Sequence, residues 1–484
     1  MRKTLAALAA FCALLVAPAA AQPPAWNPQP WLEDLAQMRA AIETKYANLD
    51  YLLTEREFDL AGLFERAGAA LRQARSDADA IAVFNRIVQR IADGHVGIDW
   101  PRPSVPAAIA AVPAAAPTAQ SFCRALGFDP SPVGIGPALS GFAPVASGDL
   151  VPAGTVRVGT LRAGVLRIAK FEPGSAPSLC AQAVAAHAIP LDRPCDAACR
   201  DIVYTAAYAR LTAAVEERLR ALRAAGADIL VVDVTGNGGG SEWVQAVARM
   251  LSPREIVAQP MGFVRGPHWA GTWSRLAARL RGFAEAATPQ DRSRLLAWAA
   301  QADAARAEAG RTCPPRGDPS CPWLGRAGFA TGLVASLPAG AFAGKEWGPW
   351  VFNPAQYPYH DGVWDGPVVV LVDEHTASAA EEFAALLQDN RVAIVVGGRT
   401  AGLGCGHTWG GSPTRLANSG AILNLPDCAR FRADGSNEVR GVIPDLLLPW
   451  RAIDGPSFRA RMLEAALPEA ARRARALHRG RRSE

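Results

Sequence analysis

GPVVVLVDEHTASAAEEFAALLQDNRVAIVVGGRTAGLGCG, residues 366–406, carries two kinds of periodicity in one stretch. Val368 to Val372 is a short β-branched run bounded by Gly366-Pro367 and Asp373-Glu374, which reads as a buried strand. Ala379 to Asp389 follows a helical pattern, with Phe383, Leu386 and Leu387 on one stripe. Val392 to Val396 is a second buried strand, closed by Gly397-Gly398. Strand, turn, helix, strand is the unit of a parallel sheet with crossover helices, so an α/β fold is expected. Ser378 stands where the helix begins and the first backbone N–H groups lack partners. Its hydroxyl can face a cleft as a nucleophile, or Thr376 or Ser378 can cap the helix, and the stretch alone leaves both open.

A second strand-to-helix junction lies upstream. Asp228 to Val234 runs into Thr235-Gly236-Asn237-Gly238-Gly239-Gly240, and Glu242 to Leu251 continues as a helix. Consecutive glycines after a strand bring backbone N–H groups close to whatever sits there. The Lys and Ser/Thr of a phosphate loop are missing and the spacing is not GxGxxG, so an oxyanion-binding turn is the functional reading. Four glycines in five positions exceed what a plain turn requires.

The remaining chain divides by pattern. Residues 1–21 read as a signal peptide: Met1-Arg2-Lys3, an apolar run from Leu5 to Val16, and small residues up to Ala21. A periplasmic or secreted protein without stable membrane insertion is therefore expected. Residues 22–95 form a helical domain, with apolar stripes such as Ile81, Phe84, Ile87, Val88 and Ile91, ending at Asp93-Gly94-His95. Residues 96–200 are an irregular connecting region with a hairpin between Thr155 and Phe171. Residues 201–450 are the core, interrupted at 257–350 by an insertion with two helices and many tryptophans. Trp269, Trp273, Trp323, Trp347 and Trp350 can pack that insertion or line a cleft. A hairpin from Thr408 to Leu425 turns at Asn418-Ser419-Gly420, and 451–484 form a C-terminal helix with a basic tail.

Loss of Arg2 and Lys3 with the leader takes the formal charge from +5 to +3, and nothing calls for nucleic acid. The leader's loss leaves eight cysteines, an even number that favours disulfides in an exported chain. Local pairs are expected: Cys313–Cys321, Cys405–Cys428, Cys195–Cys199 and Cys123–Cys180. Zinc is the alternative, but paired CxxC knuckles and a His near Cys195 and Cys199 are missing. No metal or cofactor is expected.

Three separated stretches, Asp233 to Gly240, Thr376 to Gly404 and Glu438 to Asp445, resemble in order and spacing the C-terminal-processing, or tail-specific, serine peptidases. The resemblance implies a crotonase-like (ClpP/crotonase) core, with an N-terminal helical domain and a helical insertion around it, and makes Ser378 the nucleophile. One branch of that family places a lysine base twenty-five residues after the serine, where this chain has Leu403. A leucine cannot accept a proton. The branch of the tricorn core protease and of the interphotoreceptor retinoid-binding protein domains lacks that lysine too. Its peptidases use a His at the end of an N-terminal helical region, which corresponds to His95, and a Glu that corresponds to Glu438. Gly94 replaces the serine that precedes the His in the tricorn enzyme.

The chemistry fits that carry-over. A serine hydroxyl needs an adjacent base, and an imidazole titrating near pH 6.5 suits. An anion, here Glu438, is expected to fix its tautomer. Ala379 and Gly238 or Gly239 are the expected oxyanion donors, each worth on the order of 3 kcal/mol of barrier. The expected function is an exported serine endopeptidase acting on protein or peptide substrates through an acyl-enzyme. The alternative is an inactive family member that binds a hydrophobic ligand or peptide. A crotonase-type acyl-CoA enzyme is disfavoured by the leader, since such substrates are intracellular.

Overall fold

The computed structural model describes residues 26–101, 118–131, 133–146, 150–314 and 320–483; the expected leader lies outside them. Four helices come first, α1 (Gln29–Lys45), α2 (Leu49–Thr54), α3 (Leu60–Gln73) and α4 (Asp77–Ile91), followed by the short strand β1 (Gly97–Asp99). Ser76 caps α4 by accepting from Asp79 N, and Ala92 ends it in the left-handed region at φ 54°. Next come α5 (Ala119–Ala125), β2 (Ala143–Pro144), β3 (Ala153–Val158), β4 (Leu161–Arg167), α6 (Pro177–Ala186), α7 (Ala197–Ala224), β5 (Ile229–Asp233) and α8 (Trp243–Met250). The insertion holds β6 (Pro260–Val264), α9 (Pro267–Glu285), α10 (Pro289–Ala309), β7 (Leu324–Phe329) and α11 (Gly348–Val351). The chain closes with β8 (Val368–Val372), α12 (Ala379–Asp389), β9 (Ala393–Gly397), β10 (Thr414–Arg415), β11 (Ile422–Asn424), β12 (Cys428–Arg430), β13 (Leu446–Leu447) and α13 (Pro456–Ser483).

A seven-stranded mixed sheet in the order β13-β9-β8-β5-β4-β3-β2 is the centre. The β4-β5-β8-β9-β13 part is parallel, and β2 and β3 add antiparallel. Both faces are covered. Leu230, Val232, Val368, Val370 and Val372 pack with α7, α8 and α12, while Val231, Val369, Leu371, Ile394 and Val396 pack with α13. Burial on both sides is why these strands read as unbroken apolar runs. Asp233 pairs with Leu371 and Val372 with Gly397, so the glycine turn and the Ser378 turn leave the sheet at the same edge. That edge, outside the carboxyl ends of parallel strands, is where such sheets build sites.

Three features differ from the expected organisation. The hairpin assigned to a connecting region is β3 and β4, two strands of the main sheet, so the core begins well before residue 201. The insertion is not purely helical: β6 and β7 form a separate antiparallel sheet with β12. Their glycines, Gly262, Gly325 and Gly328, break the apolar alternation that would have marked them as strands. The N-terminal helices do not close their own core. Leu416, Ala421, Leu423 and Leu425 of the β10–β11 hairpin complete it, and β11 pairs with β1.

Trp269, Trp273 and Trp347 are buried in the insertion's own core, with Phe263 and Leu280. Trp323 instead donates to the Tyr46 carbonyl at 3.0 Å, joining the insertion to the N-terminal helices. All four expected cysteine pairs are bonded. Among the described residues no helix is long and apolar enough to cross a membrane.

Candidate active site

Ser378 is the residue between β8 and α12, and its backbone is at φ 54°, ψ −119°. A non-glycine residue there is strained by about 1–3 kcal/mol, and such strain gathers at functional turns. Asp373 holds the turn from beneath, accepting from Gly236 N at 2.8 Å, His375 N at 3.1 Å and the Thr376 hydroxyl at 3.1 Å. The Thr376 hydroxyl also lies 3.0 Å from the Val234 carbonyl, and Ala377 N donates to the Asn237 carbonyl at 2.9 Å. The Ser378 turn and the glycine turn are thus one hydrogen-bonded unit.

That unit separates the two candidate glycines. Gly239, at φ 111°, lies so close that a Cβ there would be 2.8 Å from Ser378 Cβ and 3.0 Å from Ala379 N. Its N–H, however, is given to Asn237 Oδ1 at 2.9 Å. The Gly239 N–H is therefore committed within its own turn, and Gly239 is the close-approach residue. A Cβ on Gly238 would meet nothing within 4 Å, so its surroundings are open.

His95 follows α4 in a turn fixed by buried Asp93. One Asp93 oxygen accepts from His95 N at 2.9 Å, and the other from Tyr46 Oη at 2.9 Å and Asn48 Nδ2 at 3.0 Å. The imidazole Nδ1 lies 3.2 Å from the Leu403 carbonyl. A carbonyl only accepts, so Nδ1 carries the proton and Nε2 presents a lone pair. Burial lowers the His95 pKa below its ordinary 6.5, with Asp93 and the Leu403 contact pulling it back up. Gly406 covers the ring: a Cβ there would be 3.1 Å from Nε2. His407 stands edge-on, 5.9 Å away centre to centre.

Glu438 occupies a different place from the one expected. It is buried, and its partners are Gln259 Nε2 at 3.0 Å and the Arg430 guanidinium at 2.6 to 3.1 Å. The imidazole nitrogen it was expected to orient meets the Leu403 carbonyl instead. Arg430 is the hub: it donates to the Ser378 carbonyl at 3.2 Å and the Gly404 carbonyl at 3.0 Å, and pairs with Glu382 at 3.2 Å. Burial alone would lower its pKa; Glu438 and Glu382 outweigh that and hold it well above the usual range. Burial pushes the Glu382 carboxyl up to about 7 despite Arg430.

Glu381, Arg430 and the Leu403 carbonyl were missed from the sequence. Glu381 had a legible signal, because it stands three residues after Ser378, the spacing of a capping box, and accepts from Ser378 N at 3.0 Å. Arg430 had none. Among the described residues no group of three or more His, Cys, Asp or Glu side chains is arranged to hold a metal ion.

Solved structures share this fold. Mature CPAF is 15% identical, over 92% of this chain and 98% of its own, with a TM-score of 0.57. Mature CPAF complexed with lactacystin is 16% identical, over 92% and 99%, also at 0.57. The photosystem II D1 C-terminal processing protease is a more distant likeness, 14% identical over 92% and 97%, at 0.36. Residues 163–448, well over half the chain, match the sequence profile of peptidase family S41. That match spans the glycine turn, the Ser378 turn and Glu438. The chain therefore belongs to peptidase family S41 and is a serine-type peptidase of protein or peptide substrates.

Proposed function

We propose that the chain is an exported serine endopeptidase in which Ser378 attacks the scissile carbonyl and His95 is the general base. His95 Nε2 takes the hydroxyl proton as the acyl-enzyme bond forms and returns it to the leaving amine; water then releases the acyl group by the same route. Ala379 N, at the open N-terminus of α12, and Gly238 N are the donors for the oxyanion. Glu438 takes part by fixing Arg430, and through it the Ser378 and Gly404 carbonyls. The parallel sheet with its glycine turn is read as a crotonase-like core. Four disulfides support an oxidising compartment, in keeping with the leader at residues 1–21.

The observations that carry this reading are the commitment of His95 Nδ1 to a carbonyl acceptor, which leaves Nε2 as the basic nitrogen, and the strained serine turn. A purely ligand-binding protein needs neither. Fluorophosphonate labelling tests it: the full chain is expected to react at Ser378, and Ser378→Ala and His95→Ala are not. Equal labelling of the His95→Ala chain would assign the base elsewhere, with His407 the first to examine.

A further inference from the structure

We propose that Glu381 is the positioning residue for His95, acting through the Leu403 peptide. The proposal rests on reading Ser378 and His95 as nucleophile and base. Glu381 is fully buried at the third residue of α12. One of its oxygens accepts from Thr400 Oγ1 at 2.6 Å and Gly402 N at 2.6 Å. The other accepts from Ser378 N at 3.0 Å, Leu403 N at 2.8 Å and Gly404 N at 3.4 Å. Four of these five partners are backbone N–H groups, which only donate, so an ionised carboxylate satisfies the set. Burial pushes its pKa up, while the Thr400, Leu403 and Gly402 hydrogen bonds pull against that.

The loop is shaped for this anion. Gly402 at φ 75° and Gly404 at φ 58° flank Leu403, and successive N–H groups converge on one acceptor as in an anion nest. With its N–H held by Glu381, the Leu403 residue turns its carbonyl to His95 Nδ1 at 3.2 Å. Its side chain fills the space beside Gly94, where a Cβ would come within 2.7 Å of Leu403 Cδ2. One carboxylate therefore grips both the backbone of the nucleophile and the loop that orients the base. The orienting group expected from Glu438 is supplied by a peptide carbonyl, and its charge sits one residue further back.

The test compares full-length wild type, Glu381→Gln and Glu381→Asp by fluorophosphonate labelling rate, peptide hydrolysis, thermal melting and the downfield imidazole Nδ1–H proton resonance, assigned by its loss in His95→Ala. Glu381→Gln is expected to lower kcat and labelling about 100-fold, with KM changed less than about threefold, as misplacement of a catalytic group does. Its Nδ1–H resonance should broaden or vanish, and Glu381→Asp should recover part of both. A Glu381→Gln chain that labels at the wild-type rate, or loses activity with the resonance intact, overturns the proposal. If that variant does not fold, Thr400→Val decides, with labelling expected to slow about fivefold for one lost hydrogen bond and a wild-type rate overturning it. Wild type that never labels would defeat the peptidase reading instead, and the resonance in Glu381→Gln would still judge the positioning of His95.

Discussion

At the scale of single residues, the proposed mechanism makes His95 set the pH response. A base must be neutral to act, and burial lowers its affinity for a proton. The rising limb of kcat/KM should therefore lie below the usual histidine value of about 6.5 rather than at it, measured on a peptide substrate from pH 4 to 8. The same shift has a stability consequence. Between the folded and unfolded pKa values the unfolded chain binds more protons, so stability should fall as pH drops through that window. His95→Ala should lose nearly as much rate as Ser378→Ala, since such groups fail together, and adding Leu403→Lys to His95→Ala should not restore it. Glu438→Ala should lower unfolding free energy by about 3 kcal/mol in urea titrations, because it strips a buried guanidinium of its bidentate partner.

At the scale of elements, the Cys405–Cys428 bond ties the loop covering His95 to β12, which carries Arg430. Replacing both cysteines with serine should cost about 3 kcal/mol in the chain-entropy model and slow labelling of Ser378, read by melting and probe kinetics. The elements that build the nucleophile edge were legible because each has an unambiguous local signature. Val368 to Val372 is buried on both faces, α12 has its stripe, and four glycines crowd the turn after β5. β6 and β7 were not, since glycines occupy positions where side chains would have shown the alternation. Within the candidate site, the sequence offers Ser378 and His95 as expectations but is silent on the groups around them. A backbone carbonyl such as that of Leu403 belongs to any residue type, and Arg430 in Cys428-Ala429-Arg430 reads like any strand arginine until its buried partners are seen. Glu438 is expected from sequence to face the imidazole but pairs with Arg430, because sequence order says nothing about which cation fills the space beside it.

For the whole molecule, the N-terminal lobe and the distal hairpin form one cooperative unit. Residues 26–101 alone would expose the surface that Leu416, Leu423 and Leu425 cover. That fragment is expected to melt without a cooperative transition in circular dichroism, whereas the complete chain should unfold in a sharp one. Asn437 Nδ2 to Asn48 Oδ1 at 3.0 Å and Arg440 to Glu55 tie the Glu438 segment to the same lobe.

The borrowed hairpin also acts as a clock. A chain is made from its N-terminus onward, so His95 is exposed early and Ser378 follows, but the strand that seats β1 arrives only at residues 422–424. Arg430 and Glu438 come later still. From residue 378 until β11 emerges at 422–424, a growing chain thus carries both side chains without the strand that seats β1. Chains ending at residue 412 contain Ser378, His95 and the Leu403 carbonyl, yet they should not react with a fluorophosphonate; reaction at the full-length rate would show that the hairpin is dispensable for assembling the site.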